Sequence, residues 1–121
     1  MGQSKAKKIV GWVLQILLGV LFLLSGVQKL MGEAEVAANF ERWGYPDWFL
    51  MVTGVLELLG GIGLLIPMTA GLAASGLVLL MLGAAWTHIS SNEGFVAVVP
   101  LSFLALLAVV AYLRWPLRPK K

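Results

Sequence analysis

The sequence has no cysteine, and only 12% of its 121 residues are charged. Without thiols there is no disulfide scaffold, iron–sulfur ligation or Cys-type zinc site, and no thiol redox chemistry within the chain. The shortage of charge is set against 60% hydrophobic residues and a mean hydropathy of +0.90, which excludes intrinsic disorder and an ordinary water-soluble domain. Basic residues are scarce in the body of the chain. Of the nine Lys and Arg, only Lys29 and Arg42 are internal; Lys5, Lys7, Lys8, Arg114, Arg118, Lys120 and Lys121 lie in the terminal tails or at their edges. The net charge of +3 therefore points to a membrane surface and not to nucleic acid.

What the chain does have is four long apolar runs: Ile9–Leu30, Trp48–Ile66, Ala70–His88 and Phe95–Leu113. About 20 apolar residues at 1.5 Å per residue cross a hydrocarbon core of roughly 30 Å. Lipid cannot satisfy exposed backbone polar groups, so each run is expected to be a helix. The expected fold is all-α, a bundle of four transmembrane helices forming one membrane domain over residues 1–121, with basic tails at 1–8 and 114–121. The first run exceeds a signal-peptide core and no A-x-A site follows it, so it is expected to be retained. Gly2 does not complete a myristoylation motif, because Ala6 stands where Ser or Thr is needed. The basic tails place both termini on the cytoplasmic side, and the acidic loop of Glu33, Glu35, Glu41 and Asp47 suits the outside. Within that loop Val36, Phe40 and Trp43 recur at i, i+4, i+7 before Gly44 and Pro46, which predicts a short interfacial amphipathic helix. Trp43, Tyr45, Trp48 and Trp86 are expected to form an outer aromatic belt, with Trp12, Tyr112 and Trp115 as the inner one. Pro67 should stop the second span and Thr69 should cap the third, making these two an antiparallel hairpin.

Polar residues inside the spans carry the functional reading. Gly11, Gln15, Gly19, Phe22, Gly26 and Lys29 share one face of the first span, and Gly54, Glu57 and Gly61 share one face of the second. Glu57 falls about 12 Å below the outer boundary, where a carboxylate must be paired or protonated. Lys29 is the candidate partner, directly or through one water or hydroxyl; the alternative is Lys29 snorkelling to the headgroups beside a lone protonated Glu57. His88, with Thr87 beside it, ends the third span near the level of Lys29, as an interfacial hydrogen-bonding group or a ligand. Pro100 is expected to bend the fourth span and Ser102 to lie at the depth of Glu57. Ser25, Lys29, Thr53, Glu57, Thr87, His88 and Ser102 are thus the candidate lining of one outward-opening pocket, with Glu57, Lys29 and His88 as its proton-exchanging and hydrogen-bonding groups. Met81 and His88 share one helix and cannot sandwich a haem iron, and no metal site is expected.

The stretch Ser25-Gly26-Val27-Gln28-Lys29 resembles the Ser/His-Gly-x-x-Lys end of the first span in the DoxX and DoxX-like family of small four-span membrane proteins. Trp43-Gly44-Tyr45-Pro46 is similar to that family's Gly-x-Pro loop, and Gly54-Val55-Leu56-Glu57-Leu58-Leu59-Gly60-Gly61 to its G-x-x-E-x-x-G-G helix. With Trp86-Thr87-His88, the resemblance runs from the first span to the third. It implies a bacterial inner-membrane protein, linked through the family's namesakes to a quinone-reducing thiosulfate oxidoreductase and through other members to complexes handling oxidative or thiol stress. Three functions stay open. One is an accessory subunit of a membrane oxidoreductase contributing to a quinone site, with electrons supplied by a partner. The second is a non-catalytic docking or stabilising subunit of a larger membrane complex, or a homo-oligomer, and the third is a small proton-coupled transporter.

Overall fold

The computed structural model describes residues 4–115. Gly2 and the tail residues Arg118, Lys120 and Lys121 lie outside the described residues. Five helices follow one another: α1 (Lys5–Leu30), α2 (Ala34–Arg42), α3 (Asp47–Leu65), α4 (Ala70–Ser90) and α5 (Val98–Leu113), the last preceded by a 3-10 turn over Gly94–Ala97. α1, α3, α4 and the combined segment Gly94–Leu113 are each long and apolar enough to cross a membrane. α1 starts before the apolar run because Ser4 caps it, its hydroxyl accepting from the Lys7 amide at 3.2 Å.

α1 packs most extensively on α3 and α4 on α5, with the α3–α4 hairpin joining the two pairs. The buried residues of α1 are Gly11, Gln15, Leu18, Gly19, Phe22 and Gly26, the small-and-polar face read from the sequence with Leu18 added and Lys29 only half-buried at its end. Its glycines permit backbone-to-backbone approach: a Cβ on Gly26 would lie 2.7 Å from the Leu58 amide nitrogen and 2.8 Å from the Gly54 carbonyl oxygen. A Cβ on Gly61 would lie 2.8 Å from the Gly19 carbonyl oxygen. Lipid gives no hydrophobic drive for such contacts, so their strength comes from dispersion between closely apposed helices. At the end of the bundle carrying the termini, fully buried Gln15 donates to the Leu64 carbonyl at 3.0 Å and accepts from the Arg114 guanidinium. This clamp ties α1, α3 and α5 together through a carbonyl that the end of α3 leaves without a helical partner.

Two expectations about helix ends are corrected. Thr69 makes no side-chain cap on α4; its hydroxyl donates instead to the carbonyls of Gly63 at 2.8 Å and Ile66 at 3.3 Å, satisfying the end of α3. Pro100 does not bend a helix, because α5 begins at Val98 and Pro100 sits in its first turn, where its missing N–H has no helical acceptor to lose.

The end bearing α2 is closed by three Schellman caps. After α1, Gly32 (φ 66°) lets its own amide reach Lys29 O and the Glu33 amide reach Gln28 O. After α2, Gly44 (φ 85°) does the same, and the Tyr45 amide reaches Phe40 O at 3.1 Å. After α4 the left-handed residue is Asn92 (φ 62°), with the Glu93 amide on His88 O at 2.7 Å.

If the glycines set the α1–α3 approach, Gly26→Ala should cost about 1–3 kcal/mol through forced separation of the backbones. Gly76→Ala, which meets nothing within 4 Å, should be neutral or stabilising by up to about 1 kcal/mol. Reversible unfolding in mixed micelles measures both.

Candidate functional site

Ser25 and Lys29 are one helical turn apart on α1, and the glycine-mediated contact brings both against Glu57, the eleventh of the nineteen residues of α3. Lys29 Nζ donates to Glu57 Oε1 at 2.9 Å and to Ser25 Oγ at 2.9 Å, and Ser25 Oγ donates to the same Oε1 at 2.6 Å. The contact is thus both direct and relayed by a hydroxyl. Glu57 is only 5% exposed, so its charge stands in a medium where desolvation costs several kcal/mol per ion, and the lysine and hydroxyl offset that cost. Both bonds fall on Oε1. Among the described residues no donor reaches Oε2, and the ammonium keeps one N–H beyond its two bonds.

A second cluster lies at the α2 end. His88 Nδ1 is 2.9 Å from Glu93 Oε1, the Trp43 indole N–H donates to the same oxygen at 3.3 Å, and Arg42 pairs with Oε2. The Asn92 cap produces this by turning the chain so that Glu93 returns beside His88. The hydrogen bond from His88 holds the Glu93 carboxyl below its ordinary value of 4.5, Arg42 and Trp43 adding to the effect and desolvation opposing it. An ionised Glu93 makes Nδ1 the donor, so the neutral imidazole presents Nε2 as an acceptor. Beside this cluster Thr87 donates to Gly83 O at 2.9 Å, and its oxygen therefore accepts from the Tyr45 hydroxyl at 2.5 Å.

Two cavities meet at Glu57, Met81, Ala84 and His88. The first, about 240 Å³, lies under α2; Phe40, Trp43, Tyr45 and Phe49 wall it, and Lys29, Thr53 and Thr87 also line it. The second, about 200 Å³, is a cleft between α1 and α5, to which Ser25, Phe22, Pro100 and Phe103 contribute. The structure therefore brings together Ser25, Lys29, Thr53, Glu57, Thr87 and His88, although the Thr53 hydroxyl is spent on Phe49 O at 2.8 Å. Ser102 does not belong to it: the residue is exposed and its hydroxyl donates to Val98 O at 2.7 Å, while its neighbour Phe103 faces inward. One residue along a helix is about 100° of rotation, and the span alone did not fix the rotation of α5.

Trp43 and Tyr45, expected in the aromatic belt, instead turn inward as part of the cavity roof, whereas Trp48 and Trp86 are exposed. Sequence reasoning missed Arg42, Glu93 and Tyr45. An Asn followed by an acid just after a helix-ending His was the signal, since Asn tolerates the left-handed cap that returns the next residue to the helix.

A hydrogen-bonded ion pair buried inside four helices of membrane length defines the class, a multi-pass helical membrane protein with an intramembrane polar site. Within that class, residues 13–110 match the DoxX-like family, and the chain belongs to it. It is also 33% identical over 88 residues to the uncharacterized protein YdgD of Bacillus subtilis (strain 168), an alignment covering 66% of this chain and 74% of that protein. No solved structure matches the chain.

Removing one partner of the buried pair should cost more than removing both. Lys29→Met should destabilise by about 3–5 kcal/mol, and adding Glu57→Met should recover part of that loss, as measured by unfolding in mixed micelles. Equal losses in the single and double variants would contradict the pairing.

Because the folded value for Glu93 is depressed, its ionised contribution is complete above the ordinary 4.5 and is lost as pH falls through the folded value. Trp43 emission should accordingly show a step in acid below that ordinary value, and Glu93→Gln should remove that step.

Proposed function

We propose that the chain is an accessory subunit of a bacterial inner-membrane oxidoreductase, and that the cavity under α2 holds the head group of a quinone. The observation supporting this most directly is the Lys29–Ser25–Glu57 triangle, which keeps a charged donor and a proton-accepting carboxylate at membrane depth beside an aromatic-walled cavity.

The residues fit such a group. The remaining N–H of Lys29 is a donor for a ring oxygen, and Phe40, Trp43 and Phe49 offer faces and edges for a flat ring. At about 240 Å³ the cavity is smaller than the roughly 300–1,000 Å³ of sites enclosing whole drug-sized ligands, which suits a head group with its tail outside. A bound quinone supplies two-electron, two-proton redox chemistry. Lys29 orients the ring oxygen, Glu57 takes up or releases the proton, and the α2 roof limits water. With no thiol in the chain, electrons come from a partner subunit. Lys5, Lys7, Lys8 and Arg114 at the opposite end from α2 support cytoplasmic termini and a site in the outer leaflet.

A second reading, a docking or stabilising subunit of a larger membrane complex or a homo-oligomer, is favoured by one feature. A groove of about 740 Å³ runs between α3 and α4, with Gly60, Gly63 and Gly76 among its lining residues.

Native isolation separates the two. Quinone should co-purify with the chain and its partner subunits, and Lys29→Ala or Glu57→Gln should lower the bound quinone about tenfold or more. An intact complex with unchanged quinone in both variants would leave only the docking role.

A further inference from the structure

The two cavities meeting at Glu57 differ in hydrogen-bonding character. The one under α2 contains the free N–H of the Lys29 ammonium and so suits an acceptor such as a quinone oxygen. The cleft between α1 and α5 is lined by three polar residues, Ser25, Glu57 and His88. The Ser25 hydrogen is spent on Glu57 Oε1. Glu57 Oε2 has no donor among the described residues, and with Nδ1 held by Glu93 the neutral form of His88 has Nε2 as an acceptor. The first turn of α5 is where a helix leaves amide N–H groups unpaired, but here Pro100 lines the cleft and has no N–H to offer. Ser25 and Glu57 therefore offer acceptors in this cleft, as does His88 in its neutral form, and a ligand has to bring the donor.

The cleft also opens differently. At its mouth stand Leu21, 39% exposed, and Val99, 55% exposed, on two helices of membrane length, so its rim is apolar. Phe22 and Phe103 meet edge to face across it with ring centroids 5.7 Å apart, joining the two helices in its wall.

We infer that the α1–α5 cleft is a second subsite, entered sideways from the bilayer, that binds the hydroxyl-bearing ring of a lipid-soluble hydroquinone through O–H donation to Glu57 Oε2, with His88 Nε2 as the alternative acceptor. This rests on reading the pocket as a quinone site and adds to it a separate place for the reduced form. Oxidised and reduced ligands then approach one carboxylate from opposite sides, the first against Lys29 and the second against the free oxygen. The apolar tail of the reduced ligand leaves between Leu21 and Val99 into the lipid.

The test uses the full chain in lipid nanodiscs, titrated without oxygen with a decyl-substituted hydroquinone and separately with the matching decyl quinone. Leu21→Trp and Val99→Trp plug the mouth from exposed positions, and carboxylate infrared bands report whether the Glu57 pair persists. Each plug should weaken the hydroquinone about tenfold or more, the loss expected when a hydrogen bond to a charged group can no longer form, and leave the quinone within about twofold. Hydroquinone affinity unchanged by both plugs would overturn the inference while leaving the quinone reading intact, as would equal weakening of both forms. Failure of the hydroquinone alone to bind the unaltered chain would overturn the inference only, and failure of the quinone to bind would overturn the quinone reading along with it.

Discussion

A carboxylate near the middle of a membrane helix is tolerable only if something replaces water around it, and the rest of this structure follows from how that is done. Lys29 and Ser25 must come within hydrogen-bond reach of Glu57, from a different helix. That distance is set by the glycines flanking them: Gly26 lies against the Gly54 and Leu58 backbone and Gly61 against the Gly19 carbonyl, while the absence of a side chain on Gly19 and Gly54 also makes room for Leu65 and for the Lys29 stem. A larger residue at any of these positions would move the lysine away from the acid. The small residues and the ion pair are therefore one device, close approach giving the charge its partner and the partner making the charge affordable in lipid.

The same logic of local geometry serving a distant contact governs the α2 end. Each of the three left-handed caps redirects the chain within two residues. The cap after α2 presents Tyr45 to Thr87, and the one after α4 presents Glu93 to His88, Trp43 and Arg42. α2 has no buried residue of its own, so it is held by these side-chain bonds and by ring contacts among Phe40, Tyr45 and Phe49. A roof fastened by polar contacts at the interface is a low-stability element compared with the glycine-packed pair beneath it.

Much of this was legible in the sequence because lipid imposes strict rules. Apolar run length located the four spans, and the i, i+3, i+4 spacing of glycines with Gln15, Lys29 and Glu57 located the buried faces of α1 and α3. Rotation could not be read where a helix is apolar all round: in α5 nothing distinguishes the face of Ser102 from that of Phe103, and the structure chose Phe103. Cap chemistry was the other blind spot. Thr69 before a helix and Glu93 in a loop each have several possible acceptors or donors, and which one is used depends on where a neighbouring helix ends.

The ion pair is not explained by stability. Replacing a buried pair with well-packed apolar residues is often neutral or favourable, so a bundle selected only for packing would have no reason to keep Glu57. Nor does pairing use all of its capacity, because both bonds go to one oxygen and leave the other facing cavity space shared with His88. A structural carboxylate would be expected to saturate its acceptors, since an unsatisfied one in a medium of low dielectric is costly. Half-saturation at a junction of two cavities is therefore the feature on which the proposed quinone reading rests. The polar residues that lipid disfavours are concentrated at that junction, and the apolar length of the helices is left to the membrane.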